Sequence, residues 1–235
     1  TTIALVALVL VAGATVQSLV GLGLGLVAAP IVTLLQPDLM PEMLLVLGAL
    51  LPVLTLIEER GAIDWRGLGW ALPARLPGTW VGVALLAAAS ATQLDLVIGS
   101  MVLVAVALTA FAPVIPKSWI ALVTAGFFSG ISATTSAIGG PPMALVYQSR
   151  PRAEIRSTLA VYFIVGSLIS LGGLATSGHF SWRVVLLGLA MSPTLAIGAA
   201  LARRLQGRVA GERVRLAVLI VCAASAGALL IRDLV

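Results

Sequence analysis

The sequence predicts an all-α polytopic membrane protein made of two inverted repeats, each a broken helical hairpin followed by three transmembrane helices. Composition is the first reason. Hydrophobic residues fill 60% of 235 positions and charged residues only 10%, whereas a water-exposed domain carries about 25% charged residues. The second reason is a pair of uncharged runs, Thr1–Pro37 and Ser118–Ser149, 37 and 32 residues long. One helix crosses a bilayer in about 20 residues, so each run can enter, break and return. The third is a set of echoes in one order. Gly61-Ala-Ile-Asp-Trp-Arg66 recurs as Gly178-His-Phe-Ser-Trp-Arg183, 117 positions on. Pro77 and Gly82 recur as Pro193 and Gly198 at an offset of 116, and Gly13 as Gly126 at 113.

The first repeat is expected over 1–116, with a broken segment at 2–36 and spans near 41–58, 68–90 and 94–113. The second is expected over 117–235, with a broken segment at 118–149 and spans near 157–177, 183–203 and 213–231. Together they form one integral membrane domain. The shortest uncharged runs reach membrane length by snorkelling of their flanking charges. Thr1-Thr2-Ile3 has no basic flank and the run behind it is too long for a signal peptide; the absent initiator methionine is read as trimming. The single cysteine, Cys222, falls in the last span, so neither an internal disulfide nor a cysteine metal site is expected.

Loop charge decides between crossing and returning. If each broken segment crosses once, the cations divide eight to six between the two faces. If each returns, Arg60, Arg66, Arg75, Lys117, Arg150, Arg152, Arg156, Arg203, Arg204, Arg208, Arg213 and Arg215 share one face, and only Arg183 and Arg232 lie on the other. Twelve against two is the bias that the positive-inside rule expects. A hairpin plus three spans is an odd number of crossings, so the halves are expected to be inverted, with the Arg-rich loops cytoplasmic and both termini periplasmic. The net charge of +5 is then loop bias rather than a nucleic-acid footprint.

The interruptions carry the chemistry. Broken backbone at membrane depth must face protein or a watery cavity, and paired discontinuous segments in matching positions point to a transporter binding site. In the second half the interruption is read across Ser132–Pro142. Gly139 and Gly140 let a ligand approach the backbone, and Pro141 and Pro142 suit the first turn of a new helix. Its N-terminus would offer a positive dipole end to an anion, with Ser132, Thr134, Thr135 and Ser136 as hydroxyl donors. In the first half Gly21, Gly23 and Gly25 form the equivalent tip, with Gln17 and Ser18 as polar groups. Gly21 and Gly25 also make a Gly-x-x-x-Gly motif, which serves helix packing as readily as binding.

Other candidates read as passive. Trp65 and Trp182 are expected as interface anchors, His179 as an interface residue rather than a proton relay, and Arg75 as a snorkelling residue near a span start rather than a substrate clamp. Tyr147 and Gln148 close the second broken segment and are either site or interface residues. No ionisable group is expected deep in an apolar run. With no Walker loop, no His-Glu-x-x-His and no Gly-x-Ser-x-Gly, neither ATP hydrolysis nor an intramembrane hydrolase is expected. The chain reads as a transporter that is not an enzyme and needs no cofactor or metal.

With its glycine-rich first interruption followed by Pro30, its Gly139-Gly-Pro-Pro142 second interruption and its duplicated halves, the chain resembles the TauE/SafE family of sulfite and organosulfonate exporters. The resemblance spans nearly the whole chain, although Gly-Leu-Gly-Leu-Gly departs from the Gly-Gly pair expected in the first interruption. It implies a bacterial inner-membrane protein exporting a small sulfur-containing anion, and alternating access at a midplane site is the mechanism expected. Membrane lipid is the other expected partner, and a homodimer remains open. An anion channel and a non-transporting membrane scaffold are the competing readings.

Overall fold

A computed structural model describes residues 2–21, 23–58, 61–111, 115–178, 180–206 and 211–232. Among these the chain is helical, without a strand: α1 (Thr2–Val20), α2 (Leu24–Leu35), α3 (Glu42–Glu58), α4 (Trp65–Ala88), α5 (Ala91–Phe111), α6 (Trp119–Ser136), α7 (Gly140–Tyr147), α8 (Arg152–Thr176), α9 (Trp182–Ala190), α10 (Ser192–Leu205) and α11 (Gly211–Arg232). Six stretches are long and apolar enough to cross a membrane: α1, α4, α5, α6, α8, and α9 with α10. Thr1, Leu22, Arg60, His179 and Arg208, which enter the readings above, lie outside the described residues.

The two interruptions have different local causes. Helix α1 stops where Gly21 and Gly23 adopt φ of 93° and 151°, values that residues with a Cβ rarely reach. A Cβ on Gly23 would also lie 2.6 Å from Val16 Cγ1. The Leu24 N–H, an orphan donor at the start of α2, donates to Gln17 Oε1 at 3.0 Å. In the second half α6 runs on through Ser136, four residues past the expected start of the break. Ser132, Thr135 and Ser136 turn their hydroxyls back to the carbonyls of Phe128, Ile131 and Ser132, so they are satisfied inside the helix. The chain then turns at Ala137, a left-handed residue with φ of 57°, and α7 restarts with Pro141 and Pro142 in its first turn.

Packing brings the interruptions together. Gly25 lies so close to the Ala137 carbonyl that a Cβ there has no room. Helices α4 and α6 run side by side, with Gly78, Gly126 and Gly130 each set against backbone of the opposite helix. Small residues let membrane helices approach this closely. Helix α1 packs on α10, where Gly198 faces Val11 and Ala14.

Helix α3 meets α8, and α5 meets α11, antiparallel. Gly61, just past α3, lies against Ala153 and Ser157 at the start of α8, while Gly48 in the middle of α3 faces Ser167 in the middle of α8. Gly99 early in α5 meets Ala226 and Leu230 late in α11, whereas Thr109 and Val218 share a cavity wall at the opposite ends of those helices.

At the start of α4 a polar cluster fastens α4 to α7, α8 and the segment before α6. Asp64 caps α4 by accepting the Gly67 N–H at 3.1 Å, forms an ion pair with Lys117, and accepts the Tyr147 hydroxyl at 2.7 Å. Its own N–H donates to Thr158 Oγ1 at 3.0 Å. Burial alone would raise the Asp64 pKa, but Lys117, Tyr147 and the Gly67 N–H together hold it below the ordinary carboxylate value.

Candidate functional site

A central cavity forms where the interruptions meet. Its walls are Gln17 and Gly23–Leu26 from the first, Ala137–Pro141 from the second, Leu44, Leu45 and Gly48 of α3, Phe163 and Ser167 of α8, and Arg75 of α4. About 50 Å³ is open to the centres of water-sized spheres, against the roughly 10–15 Å³ that one water needs. It suits a few waters or one small anion.

Arg75 corrects the sequence reading. It does not snorkel: its side chain is only 1% exposed. Ten residues into α4, it lies about 15 Å along the helix axis, half of a hydrocarbon core of about 30 Å. The helix starts at Trp65, behind its Asp64 cap and eleven residues before the uncharged run that opens at Leu76, and this places the arginine at mid-depth. An ionisable group therefore does lie deep in an apolar segment, and the cations on the Arg-rich face number eleven rather than twelve once Arg75 is removed from that set. The guanidinium donates to Ser129 Oγ and Ser170 Oγ, each at 3.3 Å, and its Cζ sits 5.1 Å from the centre of the Tyr162 ring. Gly166 of α8 makes the space, since a Cβ there would collide with the guanidinium.

Arg75 has no carboxylate partner among the described residues. Its Nε has no protein partner, nor do the buried Thr79 Oγ1 and Tyr162 hydroxyl beside it. A buried polar group without a partner costs about 1–3 kcal/mol, and a charged one more. A fold that keeps such a group at membrane depth marks a functional site. Charge here is uniformly positive, because the N-termini of α2 and α7 join the guanidinium at the same cavity. Ser129 shapes one of them. Its hydroxyl donates to Gly139 O at 2.6 Å, and the planar trans peptide then turns the Gly140 N–H away from Ser129.

Six of the residues singled out from sequence line this cavity: Gln17, Gly23, Gly25, Gly139, Gly140 and Pro141. Ser18 and Gly21 do not; Gly21 instead lies near the Arg156 side chain. Thr134 stands one step behind, donating to Ser170 Oγ at 3.0 Å, which in turn accepts from Arg75. Thr135 and Ser136 point at Met101 of α5, and Ser132 lines a separate groove with Phe128 and Val104. Arg75, Ser129, Tyr162, Gly166 and Ser170 were missed. For Arg75 the signal was present in the distance from the Asp64 cap; for the α8 residues, a serine and a glycine inside a long apolar run are unremarkable until the helix is placed against α4.

No curated protein and no solved structure matches the chain. The family model described as sulfite exporter TauE/SafE matches residues 5–229, and the chain belongs to that family of multi-pass membrane transporters.

Proposed function

We propose that the protein exports a small sulfur oxyanion, sulfite or an organosulfonate, by alternating access, holding it between the two interruptions against the Arg75 guanidinium. The observation that carries this reading is a buried arginine with no carboxylate partner in a cavity sized for a small anion. An anion takes up the unpaired Nε and the positive helix ends together. The antiparallel contacts of α3 with α8 and of α5 with α11 support inverted halves. The cation bias supports a bacterial inner-membrane orientation with the Arg-rich loops cytoplasmic and the termini periplasmic. An inside-negative potential then drives an anion outward by about 2.3 kcal/mol per charge per 100 mV, so export needs no coupling ion. A scaffold offers no reason to retain an unpaired charge at mid-depth, and the cavity contains none of the nucleophile and base pairs that an enzyme requires.

Reconstitution tests the proposal. Wild-type proteoliposomes should move sulfite or small sulfonates at a rate that follows an imposed potential, and Arg75→Gln should bind the same anions at least about tenfold more weakly. Unchanged affinity in a folded Arg75→Gln protein would remove the site from this cavity.

A further inference from the structure

We infer that the groove between α1, α7, α8 and α11 is the path by which an anion reaches Arg75 from the Arg-rich face, with Arg152 as the charge at its mouth and Leu26 and Pro141 as its threshold. The inference rests on the reading of Arg75 as the anion site. The groove measures about 370 Å³, and Leu26 and Pro141 line both it and the central cavity. Its walls are Val16 and Val20 at the end of α1, Ala144 and Leu145 of α7, Ile155 of α8 and Val218 of α11. At its outer end stand Gln148 and Arg152, on the same face as Arg150 and the Asp64 cluster. The two spaces thus share a wall at Leu26 and Pro141, between the loop end of the groove and the interruptions.

Charge assigns the groove to anions. Among the described residues, no acidic one lines it. Arg150 is held by Glu154 at 3.0 Å, whereas Arg152 has no carboxylate partner among the described residues. A single uncompensated cation beside apolar walls focuses its field into the groove and concentrates anions there. A second groove also reaches Pro141, from between α5 and α6, but Val104, Leu108, Phe128 and Ile131 line it and no charged residue does. Of these two grooves only the one with Arg152 carries a charge that attracts an anion, so the conformation described is the one that loads from the Arg-rich face.

Thiol labelling tests this without requiring transport. Ala144→Cys places a thiol on the groove wall, and the wild-type chain is the control because Cys222 is fully buried. Ser149→Cys, at an exposed position beside Arg150, marks the Arg-rich face. In sealed vesicles of each orientation, Ala144→Cys should react with impermeant methanethiosulfonates only from the face that labels Ser149→Cys. The sulfonate reagent should exceed the trimethylammonium reagent by about threefold or more, relative to the same ratio for a free thiol in solution. Arg152→Gln should bring that ratio near one, and in flux assays it should raise the half-saturating concentration while leaving the maximal rate unchanged. Labelling from the opposite face, no labelling, or a ratio indifferent to Arg152→Gln would each overturn the path. These results are separate from the Arg75 test: an intact Arg75 dependence with the wrong labelling face refutes only the path, and correct labelling without anion transport refutes only the function.

Discussion

Helix α4 and the pair α9 and α10, related by an offset of 116 in the sequence echoes, differ in charge and in backbone at one position. Counting 116 positions on from Pro77 gives Pro193, and the same step takes Arg75 to Met191. Around Arg75 stand Ser129, Tyr162 and Ser170; the residues 116 positions before them are Gly13, Val46 and Leu54. One half therefore surrounds its mid-helix position with hydroxyls and an aromatic face. The residues 116 positions earlier in the other half are apolar, and Met191 packs against the hydrophobic core. The backbones differ too: α4 runs unbroken through Arg75, whereas α9 and α10 part at Met191. The proline at the 116 offset recurs, but the charge beside it does not. A small anion needs one cation at mid-depth, and a second would leave an uncompensated buried charge.

The largest expected effect lies in how tightly the two crossings are packed. Gly78 sets α4 against the Phe127 backbone of α6, while its counterpart 116 positions on is Thr194, which already carries a side chain. Gly78→Leu should cost about 3 kcal/mol or more, because backbone cannot yield to the added atoms, and the protein should fail to accumulate in a monodisperse form. Thr194→Val should cost about 1 kcal/mol, the hydrogen bond to Met191 O. Thermal unfolding in detergent measures both. Equal losses would mean that the crossings are equally loose and that the α4–α6 contact does not set the position of Arg75.

Next in size is a direct exchange of the two mid-helix residues. Arg75→Met should lower anion affinity about a hundredfold, since two charge-assisted hydrogen bonds and the field they anchor are lost. Met191→Arg in the same chain should not restore binding, because the hydrophobic core against which Met191 packs offers no hydroxyls to hold a guanidinium. Restored binding in the double variant, measured by calorimetry, would show that the halves are interchangeable and that the polar surroundings of Arg75 are incidental.

Legibility from sequence follows the same division. The membrane class, the helical fold and the two interruptions were plain because each is written as a run or a local cluster: charge-free stretches, Gly21-Leu-Gly-Leu-Gly25, Gly139-Gly-Pro-Pro142. Site residues contributed by one residue per helix were not. Arg75 was set aside because the count began at the uncharged run after it rather than at the Asp64 cap before it. Ser129, Ser170 and Gly166 have no local signature; only the packing of α4 between α6 and α8 joins them. Ser132, Thr134, Thr135 and Ser136 formed a hydroxyl cluster in the sequence, but a helix sends neighbouring side chains in different directions, so only Thr134 of that group reaches the Arg75 network.

That divergence gives a smaller, sharper test. Thr134→Val removes the hydroxyl that donates to Ser170 Oγ and leaves the partner of Arg75 less firmly oriented, at about 1 kcal/mol or fivefold in affinity. Thr135→Val removes a hydroxyl facing Ile131 O and Met101 and should leave affinity unchanged. If the two variants bind alike, the connection from α6 through Ser170 to Arg75 carries nothing.

The smallest expected effect compares the polar fastenings at the two ends of the helix bundle. On the Arg-rich face Asp64 joins α4, Lys117, Tyr147 and Thr158; on the other, Glu42 at the start of α3 takes the Ser181 N–H. Asp64 lies outside the spanning helices, and its pKa is held below the ordinary carboxylate value. A lowered pKa means that the folded state favours the carboxylate, so its contribution is complete above the ordinary value and fades as pH falls through the lowered one. Asp64→Asn keeps the shape and the Gly67 cap but loses the charge facing Lys117, and should cost about 1 kcal/mol near neutral pH. Wild type and variant should converge in unfolding temperature as the medium is acidified below the ordinary carboxylate range. A gap that stays constant down to that acidity would show that the Lys117 pairing does not stabilise this end, leaving Tyr147 and Thr158 to hold the return of α7 and the start of α8.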